Sequence, residues 1–479
     1  MEPVEPSDPS VHEEEFLGDS AHAPLDPGKL WATLERRIFA TNEFFRLWVA
    51  QVITSIGNWL FFFAMIVTAT RVGGDFASAS VGFVVAARLV PGLLFSQVAG
   101  VLADRWDRRK LMVITDVCRA LVVLTVPFID HVWQLVVVSL VMELFTLLWI
   151  PAKEASVPNL VPKSHLTTAN SLAVVATYGT IAVAAVILLG LAAGAARLEV
   201  FGWAEVLRID ETSLSFYVDA GTYLMSALLI STLAIRGPAT STSVDANKAS
   251  VRESFSRLAD GWRLILEDRI VRSVNVGLAA GLIGGGMVVP LGSEYAAEVL
   301  GAGERGYFGM VAGLGLGAAG GVVVVSMLQE RLRKRAVFVT SLFATGVALL
   351  VAASLGSLTA VIIALVTMGF FAGPVYVVGF TLLHEQVQDE FRGRIFAALY
   401  ALVQISALIA LVIGPFFAEA AGGISSALLD GSVPIFGFAY ALPGERLALW
   451  FGALIIIAAS VLALVSLGMS SRASLKAVK

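Results

Sequence analysis

The sequence predicts an all-α polytopic membrane protein: twelve transmembrane helices arranged as two six-helix bundles. Three observations carry that prediction. Apolar runs of about 20 residues, enough to cross ~30 Å of hydrocarbon at 1.5 Å per residue, recur along the whole chain. Only 15% of its 479 residues are charged, against about 25% in an ordinary soluble domain. Basic residues also crowd into every second loop. A β-barrel is excluded because the runs do not alternate polar with apolar residues.

The spans are placed at 45–70, 78–102, 111–129, 132–152, 167–194, 217–236, 270–292, 305–328, 336–355, 357–383, 393–416 and 447–469. With this division, 25 of the 33 lysines and arginines fall on the side of the termini. Five fall on the opposite side (Arg71, Arg197, Arg208, Arg305 and Arg446), and Arg46, Arg88 and Arg119 fall inside spans. This asymmetry predicts cytoplasmic termini and a multi-pass protein of the cell membrane.

Five segments follow. Residues 1–43 form an acidic leader rich in proline, expected to be disordered and cytoplasmic. Residues 44–236 form the first six-helix bundle and 270–469 the second. Between them, 237–269 is a polar linker that turns into a basic amphipathic helix, with Phe255, Leu258, Trp262 and Leu266 at helical spacing. Residues 470–479 are a short tail. Ala195–Phe216 and Ala420–Arg446 read as long loops on the far side. The six-plus-six division is that of an internal repeat.

Several chemistries are absent from the sequence. The single cysteine, Cys118, lies in an apolar run, so no intramolecular disulfide forms and no cysteine–histidine cluster marks a metal site. The glycine runs GLIGGGMVVPLG and GMVAGLGLGAAGG sit within apolar spans, not at strand–helix turns, so they are not phosphate loops. No cofactor and no nucleic-acid partner are expected. Nothing resembles a nucleophile with its base, so no enzyme is predicted.

Charged residues inside spans are costly and therefore informative. Glu143 stands near the middle of the fourth span and is the first candidate for a proton-coupling group; its rival reading is a structural pair with Arg88 or Arg119. Asp116 and Arg119, three apart, read as a local pair. Arg88 either counters Glu143 or lines a cavity. Glu294 and Glu298, one turn apart at the outer end of the seventh span, read as an external rim, with a coupling pair as the rival reading, and Asp219 reads as helix-end chemistry.

The densest charge cluster is GVLADRWDRRK, Gly100 to Lys110, between two apolar runs. It resembles the loop signature of the major facilitator superfamily, Gly-x-x-x-Asp-Arg-x-x-Arg-Arg. Carried over, the motif residues are Gly100, Asp104, Arg105, Arg108 and Arg109, which the resemblance implies act as a gate with the opposite bundle. FFRLWVAQVITSIGNWLFFFAM, IPAKEASVPNLVPKSHLTTANSL and DEFRGRIFA are similar to the macrolide- and siderophore-exporter-like branch. The resemblance covers roughly residues 43–469. It departs at Asn58, where many members of the branch carry an aspartate.

The resemblance implies a secondary transporter working by alternating access, with protons and a hydrophobic or amphipathic compound (drug, macrolide or siderophore) as partners, among membrane lipids and as a monomer. Spans 1, 4, 7 and 10 then line the cavity. Their candidate residues are Gln51, Asn58, Trp59, Met142, Trp149, Asn275, Met287, Met368 and Tyr376, with Arg88 beside them. Such a methionine- and tryptophan-containing surface suits an apolar substrate. Movement of lysophospholipid or another lipid, and a non-transporting receptor or scaffold role, are the alternatives.

Overall fold

In hydrocarbon every backbone N–H and C=O must be paired within the protein, and a helix does this within its own segment. The computed structural model describes residues 38–103, 106–162, 165–198, 201–234, 262–263, 265–328, 332–387, 389–435 and 438–477. Helices dominate these residues.

α1 (Asn42–Gly73) starts at Thr41, whose hydroxyl accepts the Phe44 N–H at 3.2 Å. It stops at Gly74, whose φ of +54° suits a residue without Cβ. A 3₁₀ turn, Gly74–Phe76, leads into α2 (Ala77–Ala103). α3 (Arg108–Val123) is capped by Asp107, which accepts the Lys110 N–H at 2.9 Å. α4 spans Val132–Leu160, α5 runs as Leu166–Tyr178 then Thr180–Leu198, and α6 spans Ser213–Ser231.

In the second half, α7 runs as Arg269–Gly286 then Val288–Glu294 and ends in a π turn, Tyr295–Val299. α8 (Gly303–Leu328), α9 (Lys334–Ser354) and α10 (Leu358–Gln386) follow. α11 comprises Asp389–Leu408, a π segment Ile409–Ile413 and Gly414–Leu429. An antiparallel hairpin, β1 (Ser432–Ile435) with β2 (Phe438–Ala441), precedes α12 (Gly444–Ala477).

Among the described residues, eleven continuous helical stretches are long and apolar enough to cross a membrane. The first, Asn42–Gly92, has 51 residues. A straight helix of that length would reach about 76 Å, more than twice a bilayer core. It divides at Gly74, and α1 and α2 pack against each other.

The structure corrects several boundaries, among them that of α12, which runs to Ala477 through most of the expected tail. α4 continues past residue 152 to Leu160, through Pro151 and Pro158. Lys153, expected in a loop, is 5% exposed, paired to Glu154 at 2.6 Å and 6.0 Å from the Trp149 ring. α11 continues to Leu429, so much of the expected loop 420–446 is helix and hairpin. Prolines end helices in water because a backbone carbonyl loses its partner; neighbouring helices in a membrane protein compensate. The acidic leader to residue 37 and most of the linker helix lie outside the described residues, as do Asp104 and Arg105.

The helix contacts sort into two sets, α1–α6 and α7–α12. One close approach within a set is that of α8 on α10. A Cβ at Gly317 or Gly321 would strike the carbonyls of Val366 and Phe370, and one at Gly369 the carbonyl of Leu314. Between the sets, the principal contacts are α5 with α8, α2 with α11, and the second segment of α7 with α1 and α2. The contacting side chains include Phe83 with Phe416, ring centroids 5.1 Å apart, and Phe63 with Tyr307 at 6.5 Å. These contacts lie toward the face remote from the termini. The first segment of α7, on the side of the termini, makes its principal contacts within its own half.

Candidate functional site

Two groups of polar residues are buried in the helices. The first lies inside the α1–α6 half. Asp116 (0% exposed) and Arg119 (1%) form an ion pair on one face of α3, as their spacing predicts. Ser226 of α6 donates to the second Asp116 oxygen at 2.8 Å. The guanidinium lies 4.5 Å from the Tyr223 ring and 5.4 Å from that of Trp149. Tyr223 in turn donates to Asn58 Oδ1 at 2.6 Å. The charge is thus held between its counter-ion and two aromatic faces, the arrangement that makes a buried arginine tolerable.

Asp219, read from sequence as helix-end chemistry, is instead 0% exposed within α6. Its Oδ1 lies 3.2 Å from Thr222 Oγ1, and Oδ2 has no hydrogen-bond partner among the described residues. Room for this carboxyl comes from Gly57, where a Cβ would collide with Asp219 and Thr222. The sequence placed Asp219 only two residues inside its expected span; α6 in fact begins four residues earlier, so the residue lies deeper.

Glu143 is half-buried on α4, about 17 Å along a helix of about 43 Å. Among the described residues it forms an ion pair with neither Arg88 nor Arg119. Its Oε1 is 3.2 Å from where a Cβ on Gly92 would stand. Arg88 lies 5.1 Å from the Phe61 ring and 5.9 Å from that of Phe62, with Nη1 unpartnered among the described residues.

The remaining candidates divide by environment. Gln51 donates to Thr177 Oγ1 at 3.0 Å and Trp59 to the Thr177 carbonyl at 2.9 Å, both tying α1 to α5. Met142, Met287, Met368, Trp149 and Asn275 are buried in packing, and Asn275 donates to its own helix at Val271. Tyr376 is half-exposed against Phe380. In the loop motif, Gly100 lies on α2. Arg108 donates to the Ala155 carbonyl at 2.8 Å and Arg109 to that of Leu233 at 3.2 Å, both within their own half.

The second group lies on the seam between the halves, at the face remote from the termini. Ser78 of α2 is hydrogen-bonded to Glu294 of α7, and lies 3.4 Å from Glu445 of α12. Glu298 is exposed, whereas Glu294 is half-buried and meets Ser78 of α2. Nearby, Arg305 of α8 pairs with Glu211 at 2.7 Å, and Glu304 meets Thr212 and, at 3.7 Å, Arg71. Arg71 also pairs with Asp210 at 2.6 Å. Burial pushes the Asp210 carboxyl up, but the Ser213 and Thr212 N–H groups and Arg71 outweigh it, and it stands below the ordinary carboxylate range. No local pattern marks Glu445, which stands 151 positions from Glu294.

Helices long and apolar enough to cross a membrane, in two contacting sets and bearing buried charge, define a polytopic helical membrane protein. The family model of the Major Facilitator Superfamily matches residues 47–327 and 274–474, and the chain belongs to that superfamily. It is 22% identical over 432 residues to YfiS of Bacillus subtilis, an MFS-type transporter, covering 87% of this chain and 96% of that one. It is 22% identical over 361 residues to the multidrug efflux pump Tap of Mycolicibacterium fortuitum, covering 72% and 82%. Its fold is similar to that of a bacterial homologue of the human lysosomal transporter Spinster, inward-facing and occupied. The TM-score is 0.64 at 15% identity, over 88% of this chain and 96% of that one. The chain is therefore a multi-pass membrane protein that moves small molecules by alternating access, and it is not an enzyme.

Proposed function

We propose that the chain crosses the membrane twelve times in two six-helix bundles with cytoplasmic termini, and that it exports a hydrophobic or amphipathic compound in exchange for protons. Glu143 carries the coupling reading: it is a carboxylate midway along a membrane helix, half-buried, and without an ion pair among the described residues. A carboxylate so placed is expensive unless it exchanges a proton or faces water. Asp116 and Arg119 already satisfy each other. Similarity to an efflux pump supports the outward direction. The methionine- and tryptophan-containing helices supporting an apolar substrate are those of the sequence reading, with the half-exposed Trp59 and Tyr376 as candidate contacts.

The proposal places the termini-side face open and the remote face shut in this conformation. Arg108 and Arg109 are then in the released position of their gate, bonded within their own half. Reconstituted protein tests the coupling. A panel containing a macrolide, a siderophore, a cationic dye and lysophospholipid is offered over a pH series, and proton flux is recorded. One compound drives proton flux in the native chain, and Glu143→Gln abolishes that flux while the compound still binds. Flux unchanged by the substitution removes Glu143 from the role. Movement of lysophospholipid without proton flux favours the lipid alternative.

A further inference from the structure

Glu294, Glu298 and Glu445 each place a carboxylate oxygen within 4.8 Å of the others, at the junction of α2, α7 and α12. Glu419 of α11 adds a further negative charge within electrostatic range of Glu294. Among the described residues none of these four carboxylates has an ion pair. The cations on the elements packed around them are engaged elsewhere. Arg446 donates to the carbonyls of Ala353 and Ala441 and lies over the Tyr440 ring. Arg71 and Arg305 serve Asp210, Glu304 and Glu211. Of the neighbouring tyrosines, Tyr295 donates to α9 carbonyls and Tyr307 to Val289.

Hydrogen-bond counting then identifies what is missing. Ser78 is 2% exposed, and its hydroxyl has one proton to give. Two carboxyl groups approach it, Glu294 closely and Glu445 at 3.4 Å. That proton serves the closer contact, so the Glu445 oxygen has at most a weak share of it. Glu294 and Glu445 also bring carboxylate oxygens within 4.8 Å of each other, a range at which two ionised carboxylates repel. Independently of these contacts, Glu445 is 5% exposed, and its Oε2 is buried with no hydrogen-bond partner among the described residues. An ionised carboxylate with an orphan oxygen and no cation is the costly case in a protein interior.

We propose that the Ser78–Glu294–Glu445 junction is a proton-binding latch: the two halves close at the face remote from the termini only when this junction holds a proton, and its release lets them part. Ser78 belongs to one half and both glutamates to the other, so the bonds form and break with the movement of the halves. The latch rests on alternating access and not on Glu143 as the coupling group.

The test is a distance measurement across the seam in lipid nanodiscs. Cys118→Ser removes the native thiol, and spin labels are attached at Phe76→Cys and Leu428→Cys, positions 67% and 76% exposed on opposite halves. For one proton, the shut-to-parted ratio falls about tenfold per pH unit as pH rises between about 5 and about 9, over the stretch where the junction titrates. In Glu294→Gln/Glu445→Gln, where neutral amides stand in for protonated carboxyls, the seam stays shut across the range. A native seam indifferent to pH, one that parts on acidification, or an unchanged slope in the double variant overturns the latch. So does closure at high pH by added calcium or magnesium, which makes the missing partner a metal cation. If the double variant fails to fold, the sign and slope of the native protein decide. Glu143→Gln separates the two readings: a retained slope supports the latch even where substrate-driven proton flux is lost, and a lost slope assigns the proton to Glu143 instead.

Discussion

The two buried groups of charge solve the same problem in opposite ways. Inside the first half, Asp116 carries its cation three residues away on the same helix, with Ser226, Tyr223 and Trp149 filling the remaining directions. Every partner belongs to the α1–α6 set, so nothing there changes when the halves rock. At the seam, Glu294 and Glu445 have Ser78 opposite them and no cation among the described residues. Their partner is left to solution. Charge that must stay put is neutralised by the chain itself, and charge that sits on a moving boundary is left to be neutralised from outside.

The largest expected effect comes from breaking the self-sufficient group. Arg119→Ala leaves Asp116 buried at 0% exposure without its counter-ion, a change that costs about 3–5 kcal/mol in protein interiors. Thermal unfolding in detergent at neutral pH should show a loss on that scale, growing as pH rises because the orphaned buried carboxyl resists ionisation. The paired variant Asp116→Asn with Arg119→Met should recover most of it, because removing both charges also removes both desolvation costs. If Arg119→Ala unfolds like the native chain, the pair contributes nothing and the contrast with the seam fails.

The fold was legible because its main determinant, the cost of polar backbone in hydrocarbon, leaves long apolar runs in the sequence. Most expected limits fall within a few residues of the helices, as with 305–328 against Gly303–Leu328. The exceptions are helices that run on past their apolar part, α4 through Pro151 and Pro158, α11 to Leu429 and α12 to Ala477. The Asp116–Arg119 pair was legible because its partners are one helical turn apart. The latch was not: Ser78, Glu294 and Glu445 meet only through the packing of α2, α7 and α12, and no local pattern marks it. Asp219 was missed through a boundary error of four residues, enough to turn a helix end into an interior.

A smaller effect is expected from the charged contacts that bridge the same seam beside the latch. Arg305 and Glu211 are 51% and 31% exposed in their side chains, and such pairs contribute about 0.2–1 kcal/mol. Arg305→Gln should therefore shift the labelled seam toward the parted state by no more than about fivefold, since 1.4 kcal/mol is tenfold. The exchange Arg305→Glu with Glu211→Arg should restore it, and salt should weaken the native contact as it screens exposed charge. A shift as large as that of the latch would mean that ion pairs, not a proton, hold this face shut.

The smallest effect is the pH response of the Arg71–Asp210 contact, and it sharpens the comparison by its flatness. The Asp210 carboxyl is held below its ordinary value by the Ser213 and Thr212 N–H groups and Arg71, against the upward push of burial. A lowered value in the folded protein gives stability that is present above the unfolded value, near 4, and is lost as pH falls through the folded one. Between about pH 5 and about pH 9 the contribution is constant, so Asp210→Asn should lower the unfolding temperature by the same small amount throughout that range. Below about pH 4 the variant and native curves should converge. The two contacts are thus separable by acid alone: the Asp210 contact, made within one half, weakens where the glutamate junction is fully protonated and most firmly shut.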